Sequence, residues 1–450
     1  MRILIIGGSD AGVSAALRAR EVDPESEVTV LIKDAYPNFS ICGLPFYIGG
    51  EVEDWRSLAH RSMDQLQASG IRWMLNHTVT RIDNKQKQVV AVNKANNGTA
   101  FPYDKLIIAT GAASTRPPIP GCDLPGVFFM RFMGDGLAVR EYLEKFRPSR
   151  ATLIGSGYIG MEMAESLCRR GISVTIIEMA PSVMPSVDQK FGDRLEDMLS
   201  ARGIRVFTGI KISKIEKTGD HLTIYSGEET IAESEFILVA TGAKPSVELA
   251  AGASIPLGKT GAIRVNEKME TNAPDIYAAG DCAQTLNRLT GQYTYMPLGT
   301  TAHKQGRIAG ENAAAGNATF KGIVGTQSLK VFDLVAARTG LRDIEAKAHG
   351  FDPITIDMEA PDHKAYYPGA TSMHIGLTGD RTTGRLLGAQ MIGHHGAEIS
   401  KRIDIIAAAL YSGLTVADLV DYDLSYTPPL SSPWDPVQMA AFKWLTHCQF

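Results

Sequence analysis

Cysteine is scarce in this chain and never paired along it. Among 450 residues there are five cysteines, Cys42, Cys122, Cys168, Cys282 and Cys448, and none forms a CxxC. Scattered and odd in number, they exclude a disulfide framework and a cysteine-built zinc site, and they favour a reducing cytoplasm. No apolar run is long enough to span a bilayer. The apolar start at residues 3–6 ends in glycines and reads as a first strand, not a signal peptide. Excess charge of one sign is also missing. The chain has 45 Lys and Arg against 49 Asp and Glu, a formal net charge of -4, which points to neither nucleic acid nor an anionic membrane as partner. Low-complexity segments and long flexible linkers are absent. What remains is material for large, soluble cores: 44% of residues are hydrophobic and 21% charged. At roughly 150 residues per domain, the length suggests about three domains.

Glycine supplies the pattern. Arg2–Ile6 reads as a strand, followed by Gly7-Gly8-Ser9-Asp10-Ala11-Gly12 and an alanine-rich helix. Residues 151–154 repeat the strand, followed by Gly155-Ser156-Gly157-Tyr158-Ile159-Gly160 and a helix over 161–170. A further strand follows each helix, at 28–32 and 173–177. These are two βαβ units, each shaped to hold a dinucleotide pyrophosphate on a helix N-terminus. Two matches in correct strand–helix context reinforce one another. Leu106-Ile107-Ile108-Ala109-Thr110-Gly111 and Ile237-Leu238-Val239-Ala240-Thr241-Gly242 also echo each other as strands ending in Ala-Thr-Gly. Small residues there permit close backbone approach where the chain crosses between nucleotide domains. A strand at 276–279 then delivers Gly280-Asp281. Beyond about residue 322 the chain turns to alternating strands (328–332, 372–377, 386–392), then helices and a Pro-rich tail, a separate α+β unit.

Cys42 lies in Asn38-Phe39-Ser40-Ile41-Cys42-Gly43-Leu44-Pro45-Phe46 with no partner cysteine beside it. A thiol placed after one nucleotide-binding unit and before another helix can pass electrons as a lone redox centre. The thiolate is the reactive form, and a helix N-terminus or a nearby oxidised flavin would lower its pKa. The other reading of a free cysteine is a small buried hydrophobe. Cys168 lies in a helical pattern and reads as core, Cys122 and Cys282 read as loop residues, and Cys448 near the chain end receives no role.

Together these residues resemble the pyridine nucleotide-disulfide oxidoreductases. The likeness is to the single-cysteine branch of coenzyme A-disulfide reductase, NADH oxidase, NADH peroxidase and persulfide reductases. It covers essentially the whole chain, with both nucleotide folds, both Ala-Thr-Gly crossings, Gly280-Asp281 and the Ser-x-Cys-Gly-x-Pro-Phe segment in the family's order. The resemblance implies an α/β protein with two Rossmann-like nucleotide-binding domains plus a C-terminal α+β dimerisation domain. The FAD-binding domain would comprise 1–112 and 244–321, the NAD(H)-binding domain 113–243 and the dimerisation domain 322–450.

It further implies that FAD is held by Gly7, Gly8, Gly12, Lys33, Asp34, Ala109, Thr110, Gly111, Gly280 and Asp281. The helix starting near Thr301-Ala302 would aim its positive end at the flavin pyrimidine ring. Asp281 would bond the ribityl chain or phosphate; a helix N-cap is its other reading. Two departures concern the FAD end: Ser9 stands at the fingerprint's second glycine, and Ile32 stands where the family places an acidic residue for the adenosine ribose. Asp34 or backbone groups would take over that contact. NADH would lie on Gly155, Gly157, Ile159, Gly160 and Gly242. Glu178, 18 residues after Gly160, would accept the ribose hydroxyls. Met179 offers no charge for a 2′-phosphate, so NADH is favoured over NADPH. By the same resemblance Tyr158 covers the flavin and Glu162 lines the nicotinamide site, a plain helix face being the alternative for Glu162.

The implied electron flow runs from NADH through flavin to a sulfur bond at Cys42. A disulfide reductase passes through a mixed disulfide on Cys42, and an oxidase or peroxidase through a sulfenic acid. The peroxidase branch carries a histidine in the first glycine turn, where this chain has Asp10, and an ionised carboxylate there raises a thiol pKa. Coenzyme A-disulfide reductases instead carry two tyrosines that reach the cysteine from the partner subunit. Tyr366 and Tyr426 match them, and a phenol can protonate a departing thiolate; interface packing is their other reading. The reading is therefore an FAD-dependent NAD(P)H:disulfide or persulfide oxidoreductase, a homodimer with a shared active site and no metal. Cys42, Tyr366 and Tyr426 are catalytic, with Asn38, Phe39 and Ser40 at the substrate. A core shared between subunits would also explain the apolar helix at 403–410. Coenzyme A itself is disfavoured: Arg18 and Arg20 are present, but Glu21 replaces a second arginine and Ile41 replaces an asparagine. Small disulfides, persulfides or an arsenic or mercury species stay open as acceptors. The chain ends at Phe450, so the rhodanese module of some relatives is expected to be absent. The alternatives are an NADH oxidase or peroxidase, a flavin-based redox sensor and a degenerate nucleotide-binding scaffold. Gly280-Asp281 and Glu178 oppose the last.

Overall fold

The computed structural model describes residues 1–449. The near-continuous Ile, Leu and Val runs form two parallel sheets of the same plan, as strands buried on both faces do. In the first, Arg2–Ile6 lies between Glu27–Leu31 and Lys105–Ile108, with Arg72–Met74 and Ile276–Ala278 outside them. In the second, Arg150–Ile154 lies between Ser173–Ile177 and Phe236–Val239, with Arg205–Phe207 and Val127–Phe129 outside. Ile5, Ile107 and Leu153 are fully buried at their centres. The chain leaves the first sheet, builds the second and returns. The two connections follow the two Ala-Thr-Gly segments and pair with each other as the antiparallel strands Ala112–Ser114 and Ala243–Pro245. Two three-stranded antiparallel sheets, at 78–102 and 214–234, complete these units.

The absence of a side chain makes both turns possible. Gly7 has φ 116°, and a Cβ there would lie 2.1 Å from the Ala109 carbonyl oxygen; at Gly12 it would lie 1.9 Å from that of Gly7. The second turn repeats this, with a Cβ at Gly160 only 2.1 Å from the Gly155 oxygen. Gly157, by contrast, has open space around it, the room a pyrophosphate needs to approach backbone. Helix Asp10–Val22 packs on helix Gly299–Ala313 backbone to backbone, since a Cβ at Gly306 or Gly310 would stand 2.2 or 2.1 Å from the Ala11 or Ala15 oxygen.

The C-terminal part is an antiparallel sheet in the order Gln327–Val331, Leu334–Gly340, Leu386–His394, Ser372–Asp380, Pro353–Pro361. It is tied to helix Tyr158–Arg169 through Glu165, which accepts from Lys330 Nζ at 2.6 Å and from the Phe332 amide at 2.7 Å. The expectation that a core shared between subunits explains the apolar helix at 403–410 is corrected. Helix Ile399–Ser412 buries Ile403, Ile406 and Leu410 against this chain's own sheet. The exposed apolar side chains lie elsewhere, among them Tyr366, Leu430, Trp434 and Phe442. Cys282 is fully buried and Cys448 ends helix Pro436–Cys448. Among the described residues no helix is long and apolar enough to cross a membrane.

Close packing at one glycine and free space at its neighbour give contrasting outcomes. Gly160→Ala should lower stability to urea by about 1–3 kcal/mol, whereas Gly157→Ser, which copies Ser9 of the first turn, should change it by less than about 0.5 kcal/mol. Equal losses would contradict the turn geometry.

Candidate active site

Cys42 lies in a short 3-10 turn, Ile41–Gly43, that runs into helix Leu44–Gly49. The segment is anchored on one side by the Asn38 amide, which donates to the Gly8 carbonyl at 2.8 Å. On the other side Ser166 Oγ of helix Tyr158–Arg169 donates to the Pro45 carbonyl at 2.7 Å. Gly49 permits that approach, since a Cβ there would already lie 3.1 Å from the Ser166 backbone. The thiol is thereby placed between the two glycine turns. Asp10 and the Asp281–Arg131 pair act on it from the first unit, and Glu162 from the second.

On balance, the side chains of this chain act on the thiol in one direction. Cys42 is exposed, yet protein crowds its thiol enough that burial is the largest cause raising its pKa. Glu162, Asp10 and Asp281 push it further up, and Arg131 alone opposes them. Glu162 is itself pushed up to about 7, first by burial and then by Glu165. Burial raises the Tyr158 phenol to about 12. Asp10 is raised by burial, against the pull of His303 and His60. Arg131, which no motif marked, forms an ion pair with Asp281 and donates to the Ala112 carbonyl at 3.3 Å.

Around the first turn, helix Asp10–Val22 has no side-chain cap. Asn38, expected at the substrate, is instead 3% exposed, and its Nδ2 has no partner. An orphaned donor bound by its backbone to Gly8, next to an uncapped helix N-terminus, fits an anionic or hydroxyl-bearing group such as the FAD pyrophosphate and ribityl chain. Phe39 packs on Tyr36 and Trp55, and Ser40 leads into the turn of Cys42. Asp281 is no helix cap: it follows Gly280 in a turn, and the next helix begins at Gly299. The Gly280 amide donates to buried Gln305 Oε1 at 2.9 Å. Thr301 and Ala302 are buried in the first turn of helix Gly299–Ala313, which also lacks a side-chain cap. Thr110 Oγ1 donates to the Ser246 carbonyl at 2.7 Å, and Gly111 follows with φ 69°. Ile32 is buried and fills the space over Gly8, where a Cβ would meet it at 2.5 Å. Asp34 accepts the Tyr36 amide at 2.9 Å, and Lys33 is exposed.

At the second turn, Glu178 is 9% exposed and its carboxylate already accepts three hydrogen bonds. These come from the Ser156 amide at 2.8 Å, Ser156 Oγ at 2.7 Å and the Ala180 amide at 2.8 Å. Met179 beside it is 71% exposed. Gly242 is exposed with φ 101°. Tyr366 and Tyr426 lie beside one another on the surface, where partial burial and Tyr366 raise the Tyr426 phenol. Neither is among the groups acting on Cys42 within this chain.

The chain is similar to known proteins over nearly its whole length. The family described as Pyridine nucleotide-disulphide oxidoreductase matches residues 1–306, and its dimerisation domain matches 326–436. A Pyrococcus horikoshii protein named NAD(P)H coenzyme A polysulfide/persulfide reductase is 34% identical over 447 residues, covering 98% of this chain and 97% of that protein. A Methanocaldococcus jannaschii protein named NADH oxidase is 32% identical, covering 98% of each. The crystal structure of reduced Bacillus anthracis CoADR-RHD superposes with a TM-score of 0.96 at 33% identity, covering all of this chain and 80% of that one.

Glu162 generates a pH-dependent prediction. Its folded pKa of about 7 exceeds the ordinary 4.5, so its neutral form is favoured in the fold. Its contribution is fully present below about pH 4.5 and lost as pH rises through 7. Glu162→Gln should therefore stabilise the protein to urea by up to about 3 kcal/mol at pH 8 and change it little at pH 5. The same effect at both pH values would contradict the raised carboxyl.

Proposed function

The chain belongs to the pyridine nucleotide-disulphide oxidoreductase family, and from that membership we propose that it passes electrons from NADH to a small disulfide or persulfide at Cys42. It is an FAD-dependent NAD(P)H oxidoreductase of the disulfide-reductase type. One observation carries the reading of the site: of the five cysteines Cys42 alone is exposed, and it stands between the two glycine turns.

Gly7, Gly8, Gly12, Lys33, Asp34, Ala109, Thr110, Gly111, Gly280, Asp281, Thr301 and Ala302 would hold FAD, and Asn38 Nδ2 adds a donor at the same turn. Gly155, Gly157, Tyr158, Ile159, Gly160, Glu162, Glu178 and Gly242 would hold NADH. The four segments 1–112, 113–243, 244–321 and 322–450 would serve as first FAD part, NAD(H) part, second FAD part and dimer part. Bound together, FAD and NADH supply a two-electron path to a sulfur–sulfur bond at Cys42.

The rest is the work of this chain. The Cys42 thiolate attacks one sulfur of the substrate, the sulfur–sulfur bond breaks, one thiolate leaves, and the other sulfur stays bonded to Cys42. Arg131 favours the thiolate against the three carboxylates. The C-terminal segment is a dimerisation domain, and in a homodimer the partner subunit's Tyr366 and Tyr426 would protonate the departing sulfur. Glu178, oriented by three donors, suits the ribose hydroxyls of NADH and disfavours a 2′-phosphate. Arg18 is paired with Glu21 at 3.0 Å and Glu311 at 2.9 Å, and Arg20 donates to the Ser26 carbonyl at 2.8 Å. With those cations already engaged, a small substrate is favoured over one bearing nucleotide phosphates. The cysteine pattern supports a reducing cytoplasm as the setting.

Cys42→Ser should abolish reduction of small disulfides, by at least about a thousandfold, while NADH still bleaches the flavin absorbance at a rate near that of the wild type. Steady-state turnover and anaerobic stopped-flow absorbance measure the two halves. Comparable disulfide turnover by the variant would show that another group is the donor.

A further inference from the structure

Beside the first glycine turn lies a cluster that the electron path does not use. Asp10 Oδ1 stands 3.5 Å from His303 Nε2, and Ser14 Oγ stands 2.8 Å from Nδ1 of the same ring. The His60 ring meets His303 edge-on, with centroids 6.2 Å apart. One ligand atom from each of Asp10, His60 and His303 lies within 4.8 Å of the others. Three separate segments bring them together. Helices Asp10–Val22 and Gly299–Ala313 are locked backbone to backbone at Gly306 and Gly310. His60 is fixed to the cysteine segment, its amide donating to the Asn38 carbonyl at 3.0 Å. The juxtaposition is built into the fold.

We propose that Asp10, His60 and His303 form a binding site for a divalent cation of the zinc class at the edge of the Cys42 site. Two imidazoles and one carboxylate suit a borderline transition metal and not magnesium or calcium, which take oxygen shells. Tetrahedral zinc with ligands at about 2.0–2.1 Å holds its ligand atoms roughly 3.4 Å apart, so the His60 side chain closes by at most about 1.4 Å from the 4.8 Å within which the three now lie. The Asp10–His303 pair already stands at nearly that spacing, and the exposed His60 ring lies against His303. Ser14 supplies the outer contact: accepting from Nδ1–H, it leaves the Nε2 lone pair directed at the metal. Three protein ligands leave a fourth position for water or a thiolate. Because Asp10 is among the carboxylates acting on Cys42, the cation would sit where thiolate substrates and products pass.

The test is a Zn2+ titration of the metal-free, FAD-loaded protein against a chromophoric chelator, for the wild type, His60→Ala and His303→Ala. The expected result is one Zn2+ per subunit, with affinity falling at least tenfold in each variant. Both imidazoles are exposed, so the fold does not rest on them, and the flavin spectrum in the same cuvette reports that each variant is intact. His60→Gln and His303→Gln repeat the measurement with side-chain volume kept. Unchanged affinity in either histidine variant, or no saturable binding by the wild type, would overturn the site and leave Asp10–His303 as a plain polar contact.

Discussion

Ser166 Oγ reaches the Pro45 carbonyl at 2.7 Å, and Gly49 leaves no side chain between helix Leu44–Gly49 and helix Tyr158–Arg169. That buried contact carries the Cys42 turn from the first nucleotide unit onto the second. A hydrogen bond of this kind contributes only about 0.5–1.5 kcal/mol, but a buried carbonyl left without it costs more, so the register of the two helices is well defined. The other end of the segment is fixed by the Asn38 amide on Gly8. Held at both ends, Cys42 has one place to stand, and Glu162, Asp10 and Asp281 become its neighbours as a result.

Those neighbours make the resting thiol reluctant to ionise. Burial and three carboxylates raise its pKa, and Arg131, itself paired with Asp281, is the one counterweight. Reactivity therefore has to arrive with what binds. A donor to the leaving sulfur, a cation near Asp10, or protonation of Glu162 close to pH 7 would each shift the balance towards thiolate. A thiol that is protonated until its site is filled also resists oxidation by stray electrophiles. Glu162 couples the two halves, since it lies in the helix that follows the second glycine turn and acts on the sulfur of the first unit.

Much of the fold was legible because its signals are local. Each glycine turn needs its missing Cβ within a span of six residues, and the strands around it are uninterrupted apolar runs. The sequence therefore placed both parallel sheets and both Ala-Thr-Gly crossings. What was not legible depends on distant partners. Arg131 lies in no motif and gains its meaning only from Asp281, 150 residues away. His60 and His303 meet Asp10 through helix packing that no spacing reveals, and the cluster they form contains no cysteine. Asn38 adjoins the cysteine segment but turns inward to Gly8, since its positive φ of 62° directs the chain back on itself. The apolar stripe of 403–410 was read correctly as a buried face, but its partner is this chain's own sheet.

The central claim is that a single sulfur, Cys42, receives the substrate. The most direct measurement is peptide-level mass spectrometry after the reduced holoenzyme is mixed anaerobically with a small disulfide and quenched in acid. The account predicts one substrate-derived mixed disulfide per subunit, mapped to Cys42. Adducts on Cys122, Cys168 or Cys448, or continued turnover with Cys42 never modified, would contradict it.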